Sequence, residues 1–166
     1  MKQFALILLI IQCGCGGKLS DEQRKQMREG MEQQKIVQMS DSEIVTAALE
    51  EGQTVFESMK NSRFDPNKID SIARHYHVKI YWRIPGSGQS SEIEQQLIDA
   101  YVTGMATGSL QDNIQPLHKG SQTDYDSLLY SKPVVSAMPD GIEKLEGIWN
   151  IYISKKQVVL EKSSKD

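Results

Sequence analysis

Residues 128–154 read LLYSKPVVSAMPDGIEKLEGIWNIYIS, and this stretch decides the fold of the chain. Its two ends are rich in β-branched and aromatic residues, which favour strands, and Pro-Asp-Gly at positions 139–141 is typical of a turn. One face of the second end carries large apolar side chains, namely Trp149, Ile151 and Ile153. The stretch therefore predicts two strands, over residues 124–135 and 145–154, on which the core of the domain forms.

Two further strands are predicted upstream of this stretch. Residues 77–84 alternate in polarity, and the face expected to meet the core consists of Val78, Ile80, Trp82 and Ile84. The opposite face is basic and aromatic and consists of His77, Lys79, Tyr81 and Arg83. Residues 114–119 are expected to form a short edge strand, antiparallel to the next one, because Pro116 has no N–H to donate to a ladder.

Helices are predicted before and between these strands. Ser40 with Glu43, and Ser91 with Glu94, have the spacing of a capping box, and an Asp-Pro pair stands at positions 65–66. With the apolar periodicity that follows each signal, these predict helices over residues 40–60, 65–76 and 91–107. Residues 155–162 are expected to form a short last helix. The order of elements predicts an α+β domain, an antiparallel sheet with the N-terminal helices packed on one of its faces.

Composition excludes several classes of function. The chain has 166 residues, 39% of them hydrophobic, which fits one domain with a core plus a tail. Its net charge of −3 disfavours nucleic-acid binding. Cys13 and Cys15 are the two cysteines, so the body of the chain can form no disulfide, thiolate metal site, nucleophilic thiol or thioether-linked cofactor.

The first residues, MKQFALILLIIQCGCGG, are typical of a secretory signal. Lys2 provides the charged end, and the apolar run that follows is too short to span a bilayer. A buried terminal helix is the other interpretation of this run. We expect a signal over residues 1–15, a polar tether or helix over 16–39, one domain over 40–162 and a frayed tail over 163–166.

A cysteine directly after such a run resembles a bacterial lipobox, in which the cysteine is acylated, for example with palmitate. Cys15 is the favoured lipidation site because the small Gly14 precedes it. Cys13 is the alternative, with Ile10 three positions before it. Several acyl chains together hold a protein on a membrane. The expected location is therefore the cell envelope of a Gram-negative bacterium, on the outer membrane or the periplasmic face.

Residues 44–154 resemble the periplasmic c-type-haem, PAS-like sensor domain, a family long filed as a domain of unknown function. A helix that ends in a short polar stretch carries the resemblance, followed by HYHVKIYWRIPGSG, EIEQQLIDAYVTG and the pair LLYSKPVV and LEGIWNIYIS. The resemblance implies a PAS-like sheet and a sensing or ligand-binding ancestry. The family carries a Cys-x-x-Cys-His haem attachment motif between its last two core strands. Residues 136–144, SAMPDGIEK, contain neither cysteine nor histidine, so we predict a haem-less form with no cofactor.

The basic strand face is the candidate binding site. His77, Lys79, Tyr81 and Arg83 suit an anionic ligand or a protein partner, although a solvated sheet face has the same pattern. We predict no metal site and no catalytic residues, because the chain has no Gly-x-Ser-x-Gly elbow and its adjacent carboxylates lie on polar segments.

These observations predict a non-enzymatic envelope lipoprotein whose sensor domain binds a small ligand or an envelope protein. One alternative is a redox or haem protein that binds haem non-covalently through His75, His77 or His118. A purely structural envelope protein is the other.

Overall fold

The structure is a computed structural model that describes residues 20–25, 39–108, 110–118, 124–139 and 143–164. The chain divides into two compact units, Met1–Ile36 and Val37–Asp166. In the first unit, residues 21–25 are helical, and Ser20 and Gln23 bond each other's backbone N–H at 3.2 and 3.1 Å. The predicted signal and both candidate lipidation cysteines, Cys13 and Cys15, lie outside the described residues.

The described residues of the second unit form four helices and four strands. The helices are α1 (Asp41–Asn61), α2 (Pro66–His75), α3 (Glu92–Thr107) and α4 (Lys155–Ser163). The strands are β1 (Lys79–Arg83), β2 (Asn113–His118), β3 (Tyr125–Ala137) and β4 (Glu143–Ser154). Every adjacent pair of strands is antiparallel, in the order β1-β4-β3-β2. The predicted α+β class is confirmed, and the stretch that suggested it forms the central pair, β3 and β4.

The sheet has a core on each face. Side chains alternate along β3, so Leu128 and Tyr130 point to one face and Leu129 points to the other. We call the first the closed face, because α1, α2 and α4 contribute residues to its apolar cluster. The second, the α3 face, is covered by Leu97, Ile98 and Tyr101 of α3. The N-terminal helices α1 and α2 share one face, as expected, whereas α3 covers the opposite face, because consecutive apolar residues in β3 require cover on both sides.

At Gly52, the backbone of α1 lies directly against the Tyr130 ring of β3. A methyl group at this position would lie within 3.0 Å of three atoms of the Tyr130 side chain, which is 1% exposed. Glycine lowers helix propensity by about 1 kcal/mol relative to alanine. In α1, this glycine allows the helix backbone to contact the Tyr130 ring, and any larger residue would clash with the ring.

The first strand is shorter than predicted. His77 has φ 54° and stands in the turn after α2, and the Val78 N–H donates to Ala73 O at 3.0 Å. These contacts belong to the end of the helix, so the strand begins at Lys79 and not at residue 77. It ends at Arg83, one residue before the predicted end at residue 84.

Candidate ligand-binding site

Helix α3 leaves one end of its sheet face uncovered. The register aligns Lys79 with Tyr152, Tyr152 with Leu129, and Ser127 with Ser154, so all these side chains share the α3 face. The helix packs on Leu129, Leu145 and Ile148. The other end of this face, near Ser127 and Ser154, opens to solvent.

A cavity of about 660 Å³ occupies this uncovered end, and we call it the open cavity. It is bordered by the start of β1, the start of β3, the end of β4 and the first turn of α4, and it is open to solvent. Its ionisable side chains include His77, Lys79, Asp124, Asp126, Lys155 and Lys156, and Ser127 and Tyr152 are also in its lining. Its volume lies within the range of small-molecule sites, about 300–1,000 Å³.

The structure separates the four residues of the predicted binding face. His77 and Lys79 line the open cavity. Tyr81 instead lies edge-on to Tyr152, with ring centroids 5.7 Å apart. Arg83 places its guanidinium 4.7 Å from the centre of the Tyr81 ring, and its Nε lies 3.0 and 3.1 Å from the two carboxylate oxygens of Glu94. Arg83 is thus engaged within the domain.

Lys155 forms ion pairs that connect the elements on one side of the open cavity. Its Nζ lies 3.2 Å from Asp124 and 3.4 Å from Asp41, and 4.1 Å from the centre of the Tyr125 ring. The hydrogen bond from Lys155 lowers the pKa of Asp124. Burial alone would lower the pKa of Lys155, but its bonds to Asp124 and Asp41 raise it. Lys155 therefore stays charged and paired, linking the start of α4 to β3 and α1.

A buried polar network lies beside the cavity. Glu94 is 1% exposed, and it accepts hydrogen bonds from Arg83, from the Ser91 N–H at 2.8 Å and from Asn150 Nδ2 at 3.1 Å. Burial alone would raise the pKa of Glu94, but these donors and the charge of Arg83 outweigh it, so the pKa is lowered. The network ties the start of α3 to β1 and β4.

Tyr152 touches both regions. It lines the open cavity, and its hydroxyl also experiences the negative charge of Glu94. Burial raises the pKa of Tyr152, and the nearby charge of Glu94 raises it further. Tyr152 therefore lines the cavity as a neutral ring, close to the charge of Glu94.

Sequence reasoning missed most of these residues. The capping box predicted the bond between Glu94 and the Ser91 backbone, which the structure confirms, but not the burial of the carboxylate. Lys155, Lys156 and Tyr152 reach the cavity only through the pairing of β4 with β1. The sequence offered one related signal. Tyr152 alternates with Ile151 and Ile153 along β4, which places it on the opposite face of the sheet from these two buried residues.

The three histidines lie in different surroundings. His75 ends α2 and lies edge-on to Tyr76, with ring centroids 4.8 Å apart. His77 lines the cavity near one edge strand, whereas His118 ends the other edge strand and lies edge-on to Tyr125 at 5.7 Å. Two strands separate those edges. In the part of the chain that the structure describes, no three His, Cys, Asp or Glu residues gather as metal ligands would.

Comparisons with protein-family models, curated proteins and solved structures find no match to this chain. In residues 20–25, 39–108 and 143–164, no helix combines the length and hydrophobicity needed to cross a bilayer.

Proposed function

We propose that this protein is an envelope lipoprotein whose haem-less, PAS-like domain binds a small ligand in the open cavity without transforming it. The observation that carries the proposal is the cavity itself, about 660 Å³ at the uncovered end of the α3 face. His77 and Lys79, two residues of the basic strand face, line it. A site of this size with several polar groups on a rigid sheet suits recognition of a small molecule.

The chemistry of the lining favours binding over catalysis. A serine nucleophile needs an adjacent base to take its proton. The Ser127 hydroxyl instead bonds the carboxylate of its neighbour Asp126 at 3.4 Å. His77, the histidine of this cavity, makes no hydrogen bond to Ser127 in the structure.

The lipid anchor is the second part of the proposal. Acylation of Cys15, with Cys13 as the alternative, holds the domain at a membrane surface through the polar residues 16–39. Intact mass of the detergent-extracted protein tests this part. We expect acyl mass on the wild type and on Cys13→Ala, and none on Cys15→Ala. Unacylated wild-type protein would contradict the anchor.

Native mass spectrometry of the full chain, extracted from its own membrane, tests the binding part. We expect an added small-molecule mass on the wild type that is lost in Ser127→Trp, because an indole at this position projects into the cavity and obstructs the ligand. Ser136→Trp is the matched control, since it lies on the same strand outside the cavity. The control should keep the added mass.

Two results favour the alternative functions. A Soret band on haemin titration that disappears when His75, His77 and His118 are replaced would identify a haem protein. A wild-type protein with no added mass and no ligand from any small-molecule panel would identify a purely structural one.

A further inference from the structure

The cations of the open cavity differ in what they already bind. Lys155 is paired with Asp124 and Asp41 at 3.2 and 3.4 Å. Lys79 and Lys156 also line the cavity, and no carboxylate of the described residues lies within 4.0 Å of either ammonium group. Their positive charges remain available to a ligand.

The acidic side chains of the cavity do not cancel these charges. Asp124 is held by Lys155, which lowers its pKa and keeps it as a paired carboxylate. Asp126 accepts a hydrogen bond from the Ser127 hydroxyl at 3.4 Å. The cavity lining contains three lysines and two aspartates, so lysine charges outnumber carboxylate charges there. The whole chain carries a net charge of −3, so a positive site is not a general property of its surface.

We propose that the open cavity binds an anionic group, a phosphate or a carboxylate, between the ammonium groups of Lys79 and Lys156. This inference rests on the proposed function and adds the class of ligand. Each lysine donates a charge-assisted hydrogen bond to the anion, and such bonds are about twice as strong as neutral ones. The body of the ligand lies on the Tyr152 ring and beside Ser127.

The two lysines lie far apart in the sequence, so the site depends on the fold. Lys79 is the first residue of β1, and it stands directly across from Tyr152 of β4. Lys156 lies four residues after Tyr152, in the first turn of α4. The β1–β4 pairing therefore brings both ammonium groups to one cavity.

Phosphate and carboxylate can reach the cavity on a soluble molecule or on a lipid headgroup, and two arms of one experiment separate these sources. In the first arm, the full chain is titrated with inorganic phosphate and with succinate by calorimetry. In the second, binding to phosphatidylcholine vesicles is compared with binding to vesicles that also contain phosphatidylglycerol. The lipid anchor contributes equally to binding in both preparations, so the difference in binding between them reports the effect of the anionic headgroup.

The test variant is the double substitution Lys79→Ala with Lys156→Ala. Its control is Lys68→Ala with Lys144→Ala, which removes the same charge from exposed positions outside the cavity. We expect saturable binding in at least one arm, weakened roughly tenfold or more in the test variant, the equivalent of about 1.4 kcal/mol, and unchanged in the control. All four lysines are exposed, so circular dichroism should show both variants folded.

Three results would overturn the inference. In the first, neither arm saturates. In the second, both double variants weaken binding equally, which is general attraction of an anion to positive charge. In the third, native mass spectrometry finds an uncharged molecule that Ser127→Trp removes, and then the ligand class is wrong while the proposed binding function stands.

Discussion

On the closed face of the sheet, the largest fully buried side chains include Tyr130, Met59 and Ile151, whereas on the α3 face a carboxylate and an amide, Glu94 and Asn150, are buried as completely. The closed face is covered by three helices and filled with apolar groups. The α3 face is covered by one helix and continues into the open cavity.

The difference shows two ways of attaching a helix to a sheet. Burial of apolar surface stabilises by about 25 cal/mol per Å² and does not depend on direction. Hydrogen bonds to a buried charge also fix the orientation of the groups that form them. If one partner is removed, the other is left buried without a hydrogen bond, which destabilises the fold. The closed face therefore supplies bulk stability, and the polar network sets the position of α3 beside the cavity.

The largest expected effect comes from removing the carboxylate of the network. Glu94→Ala leaves Arg83 without its counter-charge and Asn150 Nδ2 without an acceptor, so the free energy of unfolding should fall by about 3–5 kcal/mol in chemical denaturation. Glu43→Ala is the matched control, because Glu43 has the same capping-box position on α1 but is exposed. Equal losses in the two variants would show that the buried network contributes nothing beyond a helix cap.

The next effect tests the tight packing of the closed face. Gly52→Ala should destabilise the domain by about 1–3 kcal/mol, because the methyl group meets the Tyr130 ring. In a Tyr130→Ala background the same substitution should be neutral or stabilising, by up to about 1 kcal/mol, since only the helix propensity remains. A double-mutant cycle by urea denaturation measures this, and a loss that is equal in both backgrounds would exclude the contact with Tyr130.

A smaller effect appears in the pH dependence of stability. The pKa of Glu94 is lowered in the folded state, so its contribution is complete above the ordinary glutamate pKa, about 4.3, and is lost as the pH falls through the folded pKa. One such group changes stability by at most about 1.4 kcal/mol per pH unit. Urea denaturation at several acidic pH values should show a shallower decline in Glu94→Gln than in the wild type. Parallel curves would contradict the lowered pKa.

The smallest effect concerns the other end of the α3 face. The Tyr101 hydroxyl lies 3.0 Å from Ser131 O and 2.9 Å from Ser131 Oγ, and Tyr101 is 6% exposed. Tyr101→Phe should therefore cost about 1 kcal/mol. Tyr81→Phe is the control, because Tyr81 is exposed and its hydroxyl makes no hydrogen bond to another described residue; it should change stability little. Thermal unfolding of both variants makes the comparison.

Local signals predicted the helices well. The structure confirms both capping boxes and the Asp65 cap with Pro66 at the first position. All of these act within about one helical turn, so the sequence contains both partners of each interaction. Strand β1 was predicted two residues too early, because the contact between Val78 and Ala73 extends the end of α2.

The candidate site was predicted only in part. His77 and Lys79 were identified from the alternation of one strand, and both line the open cavity. The same alternation could not distinguish Lys79, which faces solvent, from Arg83, which pairs with Glu94. That distinction depends on where α3 lies along the face, and a strand's own pattern does not contain it.

The sequence by itself determined that helices and an antiparallel sheet form, where most of them begin and end, and which residues of β4 enter a core. Tertiary structure alone decided that α3 covers the opposite face, that Glu94 is buried, and that Lys79 and Lys156 share a cavity. The physical reason is distance along the chain. Caps and periodicity join residues within a few positions, whereas Glu94 meets Asn150 across 56 positions, and only the register of the folded sheet brings such partners together.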